Sequence, residues 1–282
     1  MSGDHAGAEN HSGGHDKDAV SEESIMKCQD IIEILERQSP PEYAMDWDNV
    51  GLLVGRRDKE VKKIMIAVDA TVEVCQAAVY NHVDMIITHH PMIFSKLSRI
   101  NDDTALGRKI LALAEAGIVC YAMHTNFDTR GGMGREAARR LSLKNTEVLE
   151  ETLNGEGLGQ IGVLSQTITV GELARDVKRV FGLENVIIYG DINADADKVA
   201  ICPGSGKSVI EIAVQKGADC LITGDIGHHE GLDAVEMGLK IIDASHYGIE
   251  KIFMEYIYNY LKDFCPDVEI GIAHTGMPFK IV

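Results

Sequence analysis

The sequence predicts an α/β protein built from two related α/β lobes, with polar residues gathered at the carboxyl ends of its strands. Three observations carry this. Short apolar runs bounded by Gly, Asp and Asn alternate with amphipathic segments at helical spacing. The stretch Ala67 to His90 aligns without gaps on Cys202 to Asp225. Histidines and carboxylates recur where the apolar runs end, which is where open α/β sheets hold their ligands.

In chain order, residues 1 to about 20 are rich in Gly, His, Ser and Asp and lack apolar periodicity, so they read as a mobile tail. His5, His11 and His15 fit a solvated tail better than a metal site. From Ser24 to Gln38, Ile25, Cys28, Ile31, Ile32 and Leu35 fall at helical spacing, and Ser39-Pro40-Pro41 ends the helix. Trp47 to Gly55 reads as a polar turn feeding a short apolar strand that closes on glycine.

The aligned stretches each read strand, turn, helix, strand. Asp84-Met85-Ile86-Ile87-Thr88-His89-His90 matches Asp219-Cys220-Leu221-Ile222-Thr223-Gly224-Asp225, and Ala78-Val79 matches Ala213-Val214. Each unit then adds a helix and a third strand, after which His124 to Asp128 and His246 to Glu250 both read His, three residues, carboxylate. Gly155 to Gly190 adds a strand (159–168), a helix started at Thr169 and a strand (185–189) to the second lobe. A last helix from Tyr247 carries Ile249, Ile252, Phe253, Tyr256 and Ile257 on a broad apolar face. The expected organisation is a tail at 1–20, a first lobe at 21–140 and a second at 141–282, the lobes forming one compact unit.

A chain of 282 residues with 45% hydrophobic content buries a substantial core, which excludes a disordered or fibrous protein. The formal charge of -17 disfavours a protein that grips nucleic-acid backbone, and no Lys/Arg cluster stands out. The six cysteines are scattered with no C-x-x-C pair, as expected of buried reduced thiols rather than a zinc ribbon or disulfide framework. No apolar run approaches the ~20 residues of a membrane span, and the N-terminus has no signal-peptide core. The expected location is cytoplasmic.

Three sets of residues stand out chemically. His89 and His90 end a buried strand; neighbouring strand side chains face opposite ways, so both serve one site only where the strand stops, and Pro91 supplies the stop. A structural pair is the alternative. His246 and Glu250 lie four apart on one helix face, with Ser245 as N-cap in the competing view. Asp128 follows the third strand, where an ordinary turn would also suit it. Together they converge three histidines and two carboxylates on one cleft, which a metal cluster would satisfy. Five such ligands suit two divalent transition metals if one carboxylate bridges. Mixed imidazole and carboxylate favours Zn, Fe, Mn, Co or Ni over Mg or Ca, and the lack of thiolate argues against a closed structural zinc site.

The strings Trp47 to Gly55, Thr88-His89-His90-Pro91, His124 to Asp128, Gly224-Asp225-Ile226 and Asp243 to Glu250 resemble the NIF-three-like family from about Ser24 to Val282. Its members carry the labels GTP cyclohydrolase I type two and dinuclear metal centre hexameric protein. The resemblance implies His89 and Asp128 on one ion, His90 and His246 on the other, Glu250 between them, and a homohexameric ring. Where the family pattern commonly has Gly, this chain has Ser245.

His124 corresponds to His246 by the internal repeat; the implied metal set omits it, so a supporting or proton-transfer role is expected. His228, His229 and Glu230 lie by the same edge and either touch substrate or open a surface helix. Cys202 to Ser208 suggests a P-loop, but Ile201 stands where its first glycine belongs, so a strand-to-helix turn is expected; Asp69-Ala70-Thr71 occupies the matching turn of the first lobe. The expected function is a metal-dependent hydrolase of a small molecule, with His124 or His229 moving protons. Imidazole-ring opening of GTP and cleavage of another nucleotide or phosphoester are both open, and the rival is a non-catalytic metal-binding or regulatory scaffold.

Overall fold

Alternating burial along the strands organises the molecule into layers. The computed structural model describes residues 26–282; the expected tail with His5, His11 and His15, and the helix start at Ser24 and Ile25, lie outside the described residues. The chain runs α1 (Cys28–Gln38), β1 (Gly51–Val54), β2 (Lys63–Ala67), α2 (Val72–Tyr80), β3 (Met85–Thr88), α3 (Ala105–Glu115) and β4 (Val119–Ala122). A π-helical turn, Phe127–Gly131, leads to α4 (Met133–Arg140), β5 (Lys144–Leu153), β6 (Glu156–Thr169), α5 (Val170–Phe181) and β7 (Ile187–Tyr189). Then come β8 (Asp195–Ser205), α6 (Ile210–Gln215), β9 (Cys220–Gly224), α7 (His228–Glu236), β10 (Lys240–Asp243), α8 (His246–Glu250), α9 (Ile252–Phe264) and β11 (Glu269–Ile272).

These strands make two sheets, ordered β1-β4-β3-β2-β11 and β5-β6-β8-β9-β10-β7. In the first, β2, β3 and β4 are parallel with β1 antiparallel at the edge. In the second, β8, β9 and β10 are parallel with β7 antiparallel at the edge. Successive strand residues face opposite ways, so Met85 and Ile87, with Cys220 and Ile222, face a shared central core, while Ile86 and Leu221 face outer cores. Helices α1, α4, α5 and α9 fill the central layer, α2 and α3 cover the outer face of the first sheet, and α6 and α7 cover that of the second.

The aligned aspartates perform one task in both sheets. Asp84 Oδ2 accepts the backbone N–H groups of Lys62 (2.9 Å) and Lys63 (3.1 Å), and Asp219 Oδ2 those of Asp197 (3.0 Å) and Lys198 (2.9 Å). Each carboxylate thus ties the start of one parallel strand to the start of its neighbour.

Three features depart from the sequence reading. β5 was not expected; it is an edge strand with only Leu149 buried, so it has no apolar alternation to announce it. β11 returns to pair in parallel with β2, so a division at 140/141 does not separate the two sheets. The helix expected from Tyr247 is two helices, α8 and α9, meeting at Lys251. The chain is a mixed α/β protein with two sheets, and no helix among the described residues is long and apolar enough to cross a membrane.

Candidate metal centre

Both histidines of the 89–90 pair leave β3 just after its last paired residue, Thr88, so the chain no longer holds their side chains to opposite faces. His89 keeps the inward parity of Met85 and Ile87 and is fully buried, its ring 5.2 Å from that of Phe253 and 6.2 Å from that of Phe127. His90 turns to the opening and stays partly exposed. From the second sheet, α8 presents His246 and Glu250 one turn apart, with Ser245 Oγ accepting the Gly248 N–H at 3.1 Å as the expected N-cap. Ser245 adopts φ 60°, a conformation that favours glycine.

Glu250 lies at the middle. Its Oε1 is 3.5 Å from His89 Nε2, and its Oε2 is 3.1 Å from His90 Nε2 and 3.2 Å from His246 Nε2. Asp128, on the π-helical turn, places Oδ1 3.4 Å from His89 Nε2. Gly204 leaves the room this needs: a Cβ there would run into Glu250 Oε1. Gly224 has the same use for the backbone, since its Cβ would meet His246 N at 2.5 Å.

Every imidazole is aimed by an acceptor on its outer nitrogen. His89 Nδ1 donates to the Met123 carbonyl (2.8 Å), His90 Nδ1 to Asp69 (2.8 Å), His246 Nδ1 to Asp225 (2.8 Å) and His124 Nδ1 to Asp48 (2.9 Å). Carbonyls and carboxylates only accept, so each Nδ1 carries a proton and each Nε2 is the nitrogen turned to the cluster, the arrangement found behind metal-ligating histidines. Donor atoms of His89, His90 and His124 lie within 4.8 Å of one another, and so do those of His90, His246 and Glu250. These two groups could hold metal ions. His124, which the implied metal set omits, therefore stands within the cluster and is oriented like its other histidines.

Electrostatics agree with a place for cations. Burial pushes the His90 pKa down, but the carboxylates of Asp69 and Glu250 beside it outweigh burial and bring it up to about 10. The same contest, with Glu250 and Asp225 as partners, brings His246 up to about 9. Burial favours the neutral form of Glu250, yet the surrounding imidazoles hold its carboxyl well below the usual range. Asp48 is buried too, but hydrogen bonds from His124 and Thr125 bring it down to about 2. Four buried side-chain polar atoms among the described residues have no hydrogen-bond partner, and three are His89 Nε2, Asp128 Oδ1 and Glu250 Oε2. Leaving such atoms unpaired costs about 1–3 kcal/mol each. Metal ions bound among these side chains would satisfy such atoms, so the residues present fit metal ligation.

A cavity of about 740 Å³ opens onto the cluster, reached by His90, His124, Asp128, His246 and Glu250. Cys202 to Ser205 also line it, as the end of β8 rather than a phosphate loop, and Asp69 reaches the site through His90. His228 and His229 open α7 as exposed residues and are not among the side chains lining the cavity. Sequence reasoning gave no role to Asp48, Gly204, Trp47 or Phe94. Only the polar turn around Asp48 hinted at one.

A family model, Duf34/NIF3 (NGG1p interacting factor 3), matches residues 26–278. A GTP cyclohydrolase 1 type 2 homolog of Clostridium perfringens is 39% identical, the match covering 91% of this chain and 100% of that one. A homolog so described in Clostridium acetobutylicum is 36% identical over 80% of this chain and 85% of its own. Among solved structures, a Bacillus cereus protein related to NIF3 aligns with TM-score 0.86 at 26% identity, covering 92% of this chain and 99% of that one. Reduced HcgD from Methanocaldococcus jannaschii aligns with TM-score 0.77 at 30% identity, covering 89% and 98%. With its fold and nearly all its described length matched in this way, the chain belongs to the Duf34/NIF3 family.

Proposed function

We propose that the cluster is a two-metal hydrolytic centre acting on a small molecule. The observation that carries this reading is the set of unpaired buried atoms, His89 Nε2, Asp128 Oδ1 and Glu250 Oε2, in a cluster that borders a cavity of about 740 Å³. His89 and Asp128 would hold one ion, His90 and His246 the other, with Glu250 between them. Bound there, transition metals of the Zn, Fe, Mn, Co or Ni kind supply Lewis acidity and water activation for attack on an electrophilic carbon or phosphorus.

The protein's own residues do the rest. Asp69, Asp225 and the Met123 carbonyl fix the three ligand imidazoles in one tautomer, so little reorganisation is needed at the site. His124, with Nδ1 given to Asp48, keeps Nε2 free to accept a proton from the attacking water and return it to the leaving group. Access from the cavity favours catalysis over a purely structural cluster. Purine-ring opening is one candidate reaction, in line with the description of the clostridial relatives. Six-fold assembly belongs to the same reading and is checked by light scattering.

Metal analysis of the purified protein, followed by a hydrolase screen with and without chelator, tests the proposal. Two ions per chain and a chelator-sensitive activity that Glu250→Gln lacks are expected. Two bound ions with no such activity on nucleotides, phosphodiesters or cyclic amides would overturn it.

A further inference from the structure

We infer that the molecule acted on at this centre presents an uncharged planar ring, which stacks on a wall formed by Trp47 and Phe94, and that a nucleoside triphosphate is a poor occupant. The inference rests on the hydrolase reading and narrows it: among the candidate reactions it favours an uncharged ring and disfavours ring opening of a nucleoside triphosphate such as GTP. Trp47, the single tryptophan of the chain, is 60% exposed, and Phe94 is 55% exposed. Isolated exposed aromatics are common on protein surfaces. These two are not isolated: both line the cavity that reaches His90, His124 and Glu250.

The geometry specifies how a ring would sit. The Trp47 and Phe94 centroids are 5.8 Å apart with planes inclined at 39°. A third ring between them would need about 7 Å, two contact distances, so the pair forms a surface to lie on rather than a slot. His124 stands steeply to both rings, 6.0 Å from Trp47 at 72° and 6.2 Å from Phe94 at 66°, so it borders the surface rather than extending it. It is 5.2 Å from His89 and 5.4 Å from His90. A flat molecule lying on the wall therefore has its edge at the imidazoles.

Charge limits the occupant further. None of the described residues lining the cavity is Lys or Arg, whereas Asp128, Glu150 and Glu250 all line it. Polyphosphates are ordinarily held by Arg forks, Lys and helix starts. Met133 and Gly134, which open α4, give one such start here, and no basic side chain joins it. Two bound divalent ions would outweigh Asp128 and Glu250 and hold one phosphate, but the rest of a triphosphate would face Glu150 with no basic partner among the described lining residues.

The single tryptophan makes the test direct. Full-length protein as purified is titrated with inosine, nicotinamide, inosine triphosphate and ribose while Trp47 fluorescence is followed. Saturable quenching by both uncharged rings with Kd below about 1 mM is expected, at least about tenfold weaker binding of the triphosphate than of inosine, and no response to ribose. Phe94→Ala, an exposed position that leaves the melting temperature unchanged, weakens ring binding about fivefold. Quenching by neither ring, triphosphate binding as tight as inosine, or wild-type ring affinity in Phe94→Ala overturns the inference. Turnover is not measured, so ring binding without any hydrolysis would count against the hydrolase reading alone.

Discussion

His124 follows β4 and His246 follows β10, each with a carboxylate four residues on and each donating Nδ1–H to an aspartate. Their surroundings then diverge. At the end of β3 stand His89 and His90, two candidate ligands; at the aligned end of β9 stand Gly224 and Asp225, which instead make space for the His246 backbone and orient its ring. Glu250 carries one more methylene than Asp128 and reaches three imidazoles, whereas among the described residues Asp128 is within ion-pair range of His89 alone. One half of the pattern supplies candidate ligands along a strand end, and the other supplies a central carboxylate with its support. The same scaffold of strand-tying aspartates, Asp84 and Asp219, underlies both.

The largest effect is expected from breaking this asymmetry at its centre. Glu250→Gln should lose both metals and Asp128→Asn only one, read as ions per chain by elemental analysis; equal losses would show that the two carboxylates are equivalent after all. Gly224→Ala comes next, because its Cβ would meet backbone atoms of Ser245 and His246 at 2.5 to 2.8 Å. It should destabilise the fold by about 2–3 kcal/mol in denaturant melts, and a neutral result would mean that the close approach to His246 is not required.

Removing the orienting carboxylates should cost less. Asp225→Asn and Asp69→Asn should each weaken metal binding by roughly 10–100-fold with the ligand count intact, measured by competition with a chromophoric chelator. Unchanged affinity in either would separate the two halves in a way their shared geometry does not suggest.

The smallest effect lies furthest from the site. Burial raises the Asp84 pKa, but backbone N–H groups of Lys62 and Lys63 and the Lys59 ammonium at 3.0 Å outweigh it and hold the carboxyl below its ordinary value. A depressed folded-state pKa means that the stabilisation is complete above the unfolded pKa of about 3.9 and fades as pH falls through the folded value. Asp84→Asn should therefore cost about 1 kcal/mol at neutral pH and converge with wild type in acid. A penalty independent of pH would remove charge from the explanation.

Much of the candidate site was legible in the sequence. Histidines closing a buried strand and a His-x-x-x-Glu at a helix start are residue types that local structure alone rarely demands, so His89, His90, Asp128, His246 and Glu250 stood out. Their orienting partners did not. Aspartates are common in turns, and Asp48 meets His124 across 76 positions of chain, while Asp69 and Asp225 each meet their histidine across 21. Trp47 and Phe94 were invisible for the same reason: a shared wall is a relation between two loops, not a property of either.

Sequence by itself determined the alternation of strands and helices, the internal repeat and the kinds of residue at the strand ends, because periodicity and chain punctuation act over a few residues. Tertiary structure alone decided that β11 crosses back to the first sheet, that polar β5 is a strand, and that His124 joins the cluster with its Nε2 free. Those outcomes depend on which distant groups become neighbours. A hydrogen-bond acceptor behind an imidazole, or a sheet edge in need of a partner, exists only once the chain has closed on itself.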